Sequence, residues 1–388
     1  MTEVPSSMKW TLYTLGLIGF YGTWIRSALN GALSILFRSL HVTGTLPGGQ
    51  LPLKTSLTGI YWPLDYLLDM LIVFFWQAVD GSHPTTSLFS LYFAGQHIAV
   101  IVTMYVDSYK SNRSYSWKLS PTLWLYVFQA TAVATSGPWF VLLTLAANGT
   151  STSFTSSKAN AKSIKFIPLT VIFGYILLVI GMAIPSTGPR AIISPETQQV
   201  AVAVWNVFPI FTGLLQWTFQ TMFSSSEDTK TTPRKPSPNN ADLLSALRRT
   251  YAFAIFCSFA THAAALTIIF SIVLFPTMFS ASAIQTLHPG AIFKLPLSHA
   301  EVHSMGVGAL HFLQWDLFVG FTTVLVPAAA KYRRSMGASG GNEGGLTVVV
   351  LKVLAAVLLV GPGATCVGLK WLDDEADMGE ELKKKRSS

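Results

Sequence analysis

PLDYLLDMLIVFFWQAVDG, residues 63–81, sets three aspartates into a run that is otherwise apolar and aromatic. A run of this length is close to the roughly 20 residues that a helix needs to cross a bilayer. Wound at about 100° per residue, Trp62, Asp65, Asp69, Trp76 and Asp80 fall within an arc of roughly 60°. One aspartate at the membrane centre costs about 2.5–3.5 kcal/mol on the insertion scale. Carboxyl groups gathered on one helix face therefore line a cavity, pair with one another or mark helix ends. For Asp65 and Asp80 the plain alternative is end-marking in the headgroup region.

The rest of the chain repeats this apolar character. Its 388 residues are 51% hydrophobic and 11% charged, with a mean hydropathy of +0.47. Soluble domains carry about 25% charged residues, so one integral membrane domain over 1–388 is expected. The net charge of +8 is spread between apolar runs, as on the flanks of membrane helices, and implies no nucleic-acid partner. Cys257 and Cys366 both lie in apolar runs, which excludes a disulfide framework and a cysteine zinc site.

Nine segments approach spanning length: 8–25, 63–80, 87–107, 121–147, 166–185, 199–223, 250–276, 305–329 and 346–369. The pattern predicts an all-α transmembrane bundle of eight or nine spans. Pro138 and Pro209 predict kinks inside their segments. Residues 224–249 read as a polar, mobile loop, and 373–388 as a charged, solvated tail. Basic residues in short loops favour a cytosolic N-terminus. With nine spans, the tail Lys383–Arg386 argues the other way, because it resembles a cytosolic dibasic retrieval signal. That signal points to the endoplasmic reticulum.

Further polar residues share helix faces. Phe89, Phe93, Gln96, Thr103 and Asp107 lie on one face of the third segment, and Trp205, Pro209, Thr212 and Gln216 on one face of the sixth. Tyr251, Ser258 and His262 align in the seventh. In the eighth, Gln314 and Trp315 point roughly one way and Asp316 nearly opposite Gln314, so that helix is expected to be buried on more than one side. Glu301, just before it, is a candidate acid. A single intramembrane polar residue is usually glue between helices, worth about 0.6 kcal/mol. A set facing aromatic rings is the mark of a site.

Two motifs are lures. Asp373, Asp374 and Asp377 spell DDxxD, the magnesium-diphosphate motif, but after the last apolar run and without a second such motif. His299, Glu301 and His303 are spaced two apart, which is weak metal-ligand spacing. No P-loop, Rossmann glycine pattern, HExxH or G-x-S-x-G is present. No metal and no cofactor are expected.

PLKTSLTGIYWPLDYLLDMLIVFFWQAVDGSHPTTSLFSLYFAGQ, residues 52–96, together with Gln198-Gln199 to Trp205, Phe208-Pro209, Thr261-His262 and Gln314-Trp315-Asp316, resembles the fungal membrane-bound terpene cyclases of meroterpenoid clusters. This family includes the cyclase of ascofuranone biosynthesis. The resemblance implies non-redox cyclisation of a terpenyl tail on an aromatic, with an acid opening a terminal epoxide. The matching polar positions are Asp65, Asp80, Gln96, His262, Gln314 and Asp316. A carboxyl removed from water keeps its proton to higher pH, which suits that acid. Aromatic faces stabilise a developing cation by about 0.5–2 kcal/mol each, a role open to Trp62, Trp76, Phe93, Trp205 and Trp315.

The expected catalytic set is thus Asp65, with Asp69 or Asp316 as charge partner and His262 or Glu301 as terminal base. The expected partners are a hydrophobic prenylated aromatic and the lipid bilayer. Two rivals are a transporter of a hydrophobic metabolite, which moves its substrate unchanged, and a non-catalytic scaffold of the pathway.

Overall fold

The computed structural model describes residues 4–49, 51–109, 119–148, 158–224, 240–338 and 345–387. The architecture is all-α; among the described residues the only extended pairing is an isolated bridge between Thr45 and Pro52. Helix α1, Ser6–Phe20, continues through a π turn into Arg26–Leu29. Next come α2 (Ala32–Arg38), α3 (Trp62–Val79), α4 (Pro84–Ser108), α5 (Pro121–Thr131) and α6 (Val133–Asn148). Helix α7, Lys158–Val171, runs through the π turn Ile172–Ile176 into Leu177–Met182. Then follow α8 (Pro195–Asn206), α9 (Phe208–Ser224), α10 (Asn240–Leu274), α11 (Met305–Ala338), α12 (Leu346–Val360) and α13 (Pro362–Ser387). Pro63, Pro84, Pro121, Pro195 and Pro362 open their helices, where a missing N–H is harmless and the fixed φ suits the first turn.

The span count is lower than the sequence predicts. Among the described residues five helices are long and apolar enough to cross a membrane: Trp62–Val79, Pro84–Ser108, Ala161–Met182, Ala241–Leu274 and Met305–Arg334. Pro195–Asn206 and Phe208–Met222, bent by 59°, make a sixth when taken as one broken span. That bend falls beside Pro209, one of the two prolines expected to kink. Segment 8–25 is helical but is not among the six. Segments 121–147 and 346–369 each break into two pieces.

Both breaks are reversals. Ala132 ends α5 at φ 75, ψ 146, and the chain doubles back, so that Phe140 meets Trp124 at 5.2 Å and Phe128 at 5.8 Å. Gly361 ends α12 at φ 90, ψ 158. Val350, well before that turn, lines a cavity beside Ala329, and Asp373, well after it, pairs with Lys331. The two hairpins enter from the same end of the bundle. Thr144 of α6 and Lys370 and Asp373 of α13 line one cleft of about 230 Å³, together with Val4, Met8 and Lys331.

Two polar stretches also differ from expectation. Residues 225–239 of the expected loop 224–249 lie outside the described residues, whereas Asn240 already opens α10. The helix starts early because Leu243, Ala246 and Leu247 bury an apolar stripe. The expected solvated tail begins as part of α13, with Asp373 and Asp374 buried. Each acid of the run Asp373–Asp377 has a partner. Lys331 Nζ lies 3.1 Å from Asp373 and 2.9 Å from Asp377, and the Tyr251 hydroxyl donates to Asp374 at 2.5 Å. Glu375 accepts from Arg248 and from the Trp371 indole, and the Arg248 hydrogen bond holds its carboxyl below the ordinary range.

Candidate active site

The aspartates of α3 lie beneath the loop that precedes it. Asp65, in the first turn, is buried and accepts the Thr58 N–H at 2.7 Å and the Gly59 N–H at 3.1 Å. Both of its oxygens are thus engaged by backbone. Asp69, one turn on, is equally buried, and its Oδ1 has no hydrogen-bond partner. A buried polar atom without a partner costs about 1–3 kcal/mol, so this oxygen is the unusual feature of the pair. It is also the only unpartnered buried carboxyl oxygen among the described residues. Asp80, at the C-cap, accepts from the Ser82 N–H and hydroxyl at 2.8 and 2.7 Å.

Two of the other acids have structural partners. Asp316, buried on α11, accepts the Ala134 N–H at 2.6 Å. It thereby caps α6 where the break at Ala132 frees the backbone donors. Asp107 pairs with Lys370. Glu301 is exposed, in the stretch before α11 and against Gly31.

The amides mostly tie helices together. Gln96 donates to the Ser258 carbonyl at 2.8 Å and accepts the Gly363 N–H at 2.9 Å, joining α4, α10 and α13. Gln216 accepts from the Thr170 hydroxyl at 2.6 Å and donates to the Ser163 carbonyl at 2.8 Å. Trp76 and Trp205 are buried, and Phe75 meets Trp205 edge-on at 5.0 Å. Phe93 stacks on His97 at 5.9 Å. Trp315 donates to the Pro296 carbonyl and packs against Gly22. Trp62 is 76% exposed and lines neither cavity.

His262 and Gln314 do come together. They line an apolar cavity of about 620 Å³ between α4, α10, α11 and α12. His262 Nε2 lies 3.1 Å from the Leu358 carbonyl, and Nδ1 lies 3.2 Å from the Tyr92 hydroxyl. A carbonyl only accepts, so Nε2 carries the hydrogen and Nδ1 accepts from Tyr92. Gln314 donates to the Ile292 carbonyl at 2.6 Å, while its Oε1 has no partner. Neither Asp65 nor Asp69 lines this cavity or the charged cleft.

With this geometry in view, the comparisons with known proteins identify the lineage. The family model described as the CtvD domain matches residues 8–377. The chain belongs to the CtvD domain family. Its similarity to curated members runs along nearly the whole length. It is 29% identical over 366 residues to the terpene cyclase ctvD of Aspergillus terreus, covering 94% of this chain and 97% of that one. It is 27% identical over 359 residues to the terpene cyclase janA of Penicillium janthinellum, 90% of each, and 24% identical over 392 residues to the terpene cyclase ascI of Acremonium egyptiacum, 97% and 96%. No solved structure matches.

For this CtvD-domain chain, Tyr92 and Arg26 are among the buried polar residues that sequence reasoning missed. Tyr92 partners His262; it sits one turn before Gln96, on the polar face already noted, and was legible there. Arg26 is 2% exposed, donates to the Ser298 carbonyl at 2.8 Å and leaves Nε without a partner. At the end of an apolar run it reads as an ordinary flanking charge, and only the fold brings residue 298 to it. Among the described residues no cluster of three or more His, Cys, Asp or Glu is arranged to hold a metal ion.

Proposed function

We propose that this chain, a terpene cyclase by family, is a membrane enzyme that closes an ether or carbocyclic ring on the terpenyl tail of a prenylated aromatic. In this reading the tail carries a terminal epoxide. Asp69 gives its proton to the epoxide oxygen, the C–O bond at the more substituted carbon breaks, and an alkene or hydroxyl of the same molecule attacks that carbon. The proton released on ring closure returns to the Asp69 carboxylate, because His262 faces the separate cavity at α12 with both ring nitrogens engaged, and the product is an isomer of the substrate. The observation that supports Asp69 as the acid is its unpartnered, buried Oδ1 one turn from Asp65. Both oxygens of Asp65 are taken up by backbone N–H groups, which leaves Asp69 the freer carboxyl.

The hairpins support one placement in the bilayer. Val4 and Met8 near the N-terminus, and Lys370 and Asp373 after the last reversal, line one cleft. Both ends of the chain therefore fall on one side in this reading. The basic short loops and the tail Lys383–Arg386 then point to the same cytosolic face. An endoplasmic-reticulum membrane is the proposed location.

The deciding experiment is mass-neutral conversion. Microsomes carrying the chain are given a farnesylated phenol epoxide, and products are separated and weighed. A new compound of unchanged mass supports cyclisation. Substrate that only crosses the membrane supports transport, and no change of either kind supports the scaffold reading.

A further inference from the structure

The apolar cavity bounded by α12 is separate from the carboxyl pair and has its own chemistry. Its walls are almost wholly apolar, with Phe89, Phe293, Leu317, Phe321 and Val357 among them. Its volume of about 620 Å³ lies in the range of small-molecule sites, roughly 300–1,000 Å³. Phe318, Leu354 and Leu358 on its rim are exposed, so it opens sideways, towards lipid in a bilayer.

One polar group in it is unfinished. Gln314 is 4% exposed. Its amide nitrogen is oriented by two carbonyls, Ile292 at 2.6 Å and Ala291 at 3.4 Å, so the other atom is the oxygen. That Oε1 is buried and has no donor. His262 and Tyr92 do not supply one, because the Tyr92 hydroxyl is directed to His262 Nδ1 and His262 Nε2–H to Leu358. An acceptor left over in an apolar cavity selects a ligand with one O–H and a long apolar body.

We infer that this cavity is a lateral binding site for a prenylated phenol, with the phenol O–H donating to Gln314 Oε1 and the terpenyl tail lying along α12. The inference rests on the proposed substrate class and adds a site to it. It makes Gln314 a binding residue that selects the free phenol over its ether.

The test uses the full chain in lipid nanodiscs and two non-reactive probes, a farnesylated phenol without an epoxide and its methyl ether. Affinity is read by competition against a photoreactive farnesyl phenol, whose crosslinks are mapped by peptide. The expected result is crosslinking to α11 and α12 and a preference for the phenol over the ether of about 5–10-fold, the worth of one neutral hydrogen bond. Gln314→Leu is expected to erase that preference, and Val353→Trp to weaken both probes by filling the cavity. Equal binding of phenol and ether by the unmodified chain overturns the inference and needs no variant to fold. Crosslinks confined to other helices also overturn it. Failure of epoxide turnover with the phenol preference intact removes the proposed reaction and leaves this site standing. Turnover without any preference removes only the site.

Discussion

The two hairpins, α5–α6 and α12–α13, solve one problem with different residues. Each reverses inside the bundle at a backbone position with positive φ and extended ψ, Ala132 at 75° and 146° and Gly361 at 90° and 158°. Each then exposes the first N–H groups of its second helix in a region without water. In α5–α6 the acceptor is the carboxyl of Asp316 on Ala134. In α12–α13 it is the amide oxygen of Gln96 on Gly363. Glycine meets the backbone demand freely, whereas alanine there is strained by about 1–3 kcal/mol. The difference teaches that a buried carboxyl need not be a catalyst: Asp316 is engaged by the fold, and Asp69 has an oxygen that is not.

The comparison is open to breakage. The largest effect is expected for Asp316→Ala, which leaves the Ala134 N–H buried without an acceptor. Loss of about 3 kcal/mol of stability is expected, read as an earlier thermal transition in detergent. If the protein melts unchanged, the carboxyl is not the cap. Gly361→Ala comes next, at about 2 kcal/mol, because its methyl would also lie 3.0 Å from Gln96 Oε1 and 3.1 Å from the His262 ring. The smallest effect has the opposite sign. Ala132→Gly relieves the strained φ and is expected to stabilise by about 1 kcal/mol. A loss of stability there would mean that the methyl packing of Ala132 outweighs its backbone strain.

Much of the architecture was legible in the sequence. The helical class follows from apolar runs of spanning length, and the shared face of Asp65 and Asp69 from the helical repeat. The opposed directions of Gln314 and Asp316 also follow from that repeat, and in the structure they reach Ile292 and Ala134 on different sides of α11. The reversals were not legible. Nothing in QATAVATS marks Ala132 as a turn, because its stabilising acceptor lies 182 residues away. Nor was the fate of DDEAD legible, since Lys331, Arg248 and Tyr251 reach it only through the fold. The unpartnered oxygens of Asp69 and Gln314 emerge only when every neighbour has been placed.

The most direct test of the central claim is turnover of a farnesylated phenol epoxide by membranes carrying Asp69→Asn, beside Asp316→Asn and the unmodified chain, each normalised to folded protein. Asparagine keeps the shape of both side chains and still offers Ala134 an acceptor. Loss of about 100-fold or more in Asp69→Asn, with Asp316→Asn near the unmodified rate, is the predicted result. Full turnover in Asp69→Asn, with the loss confined to Asp316→Asn, would contradict the account and move the proton to the hairpin cap.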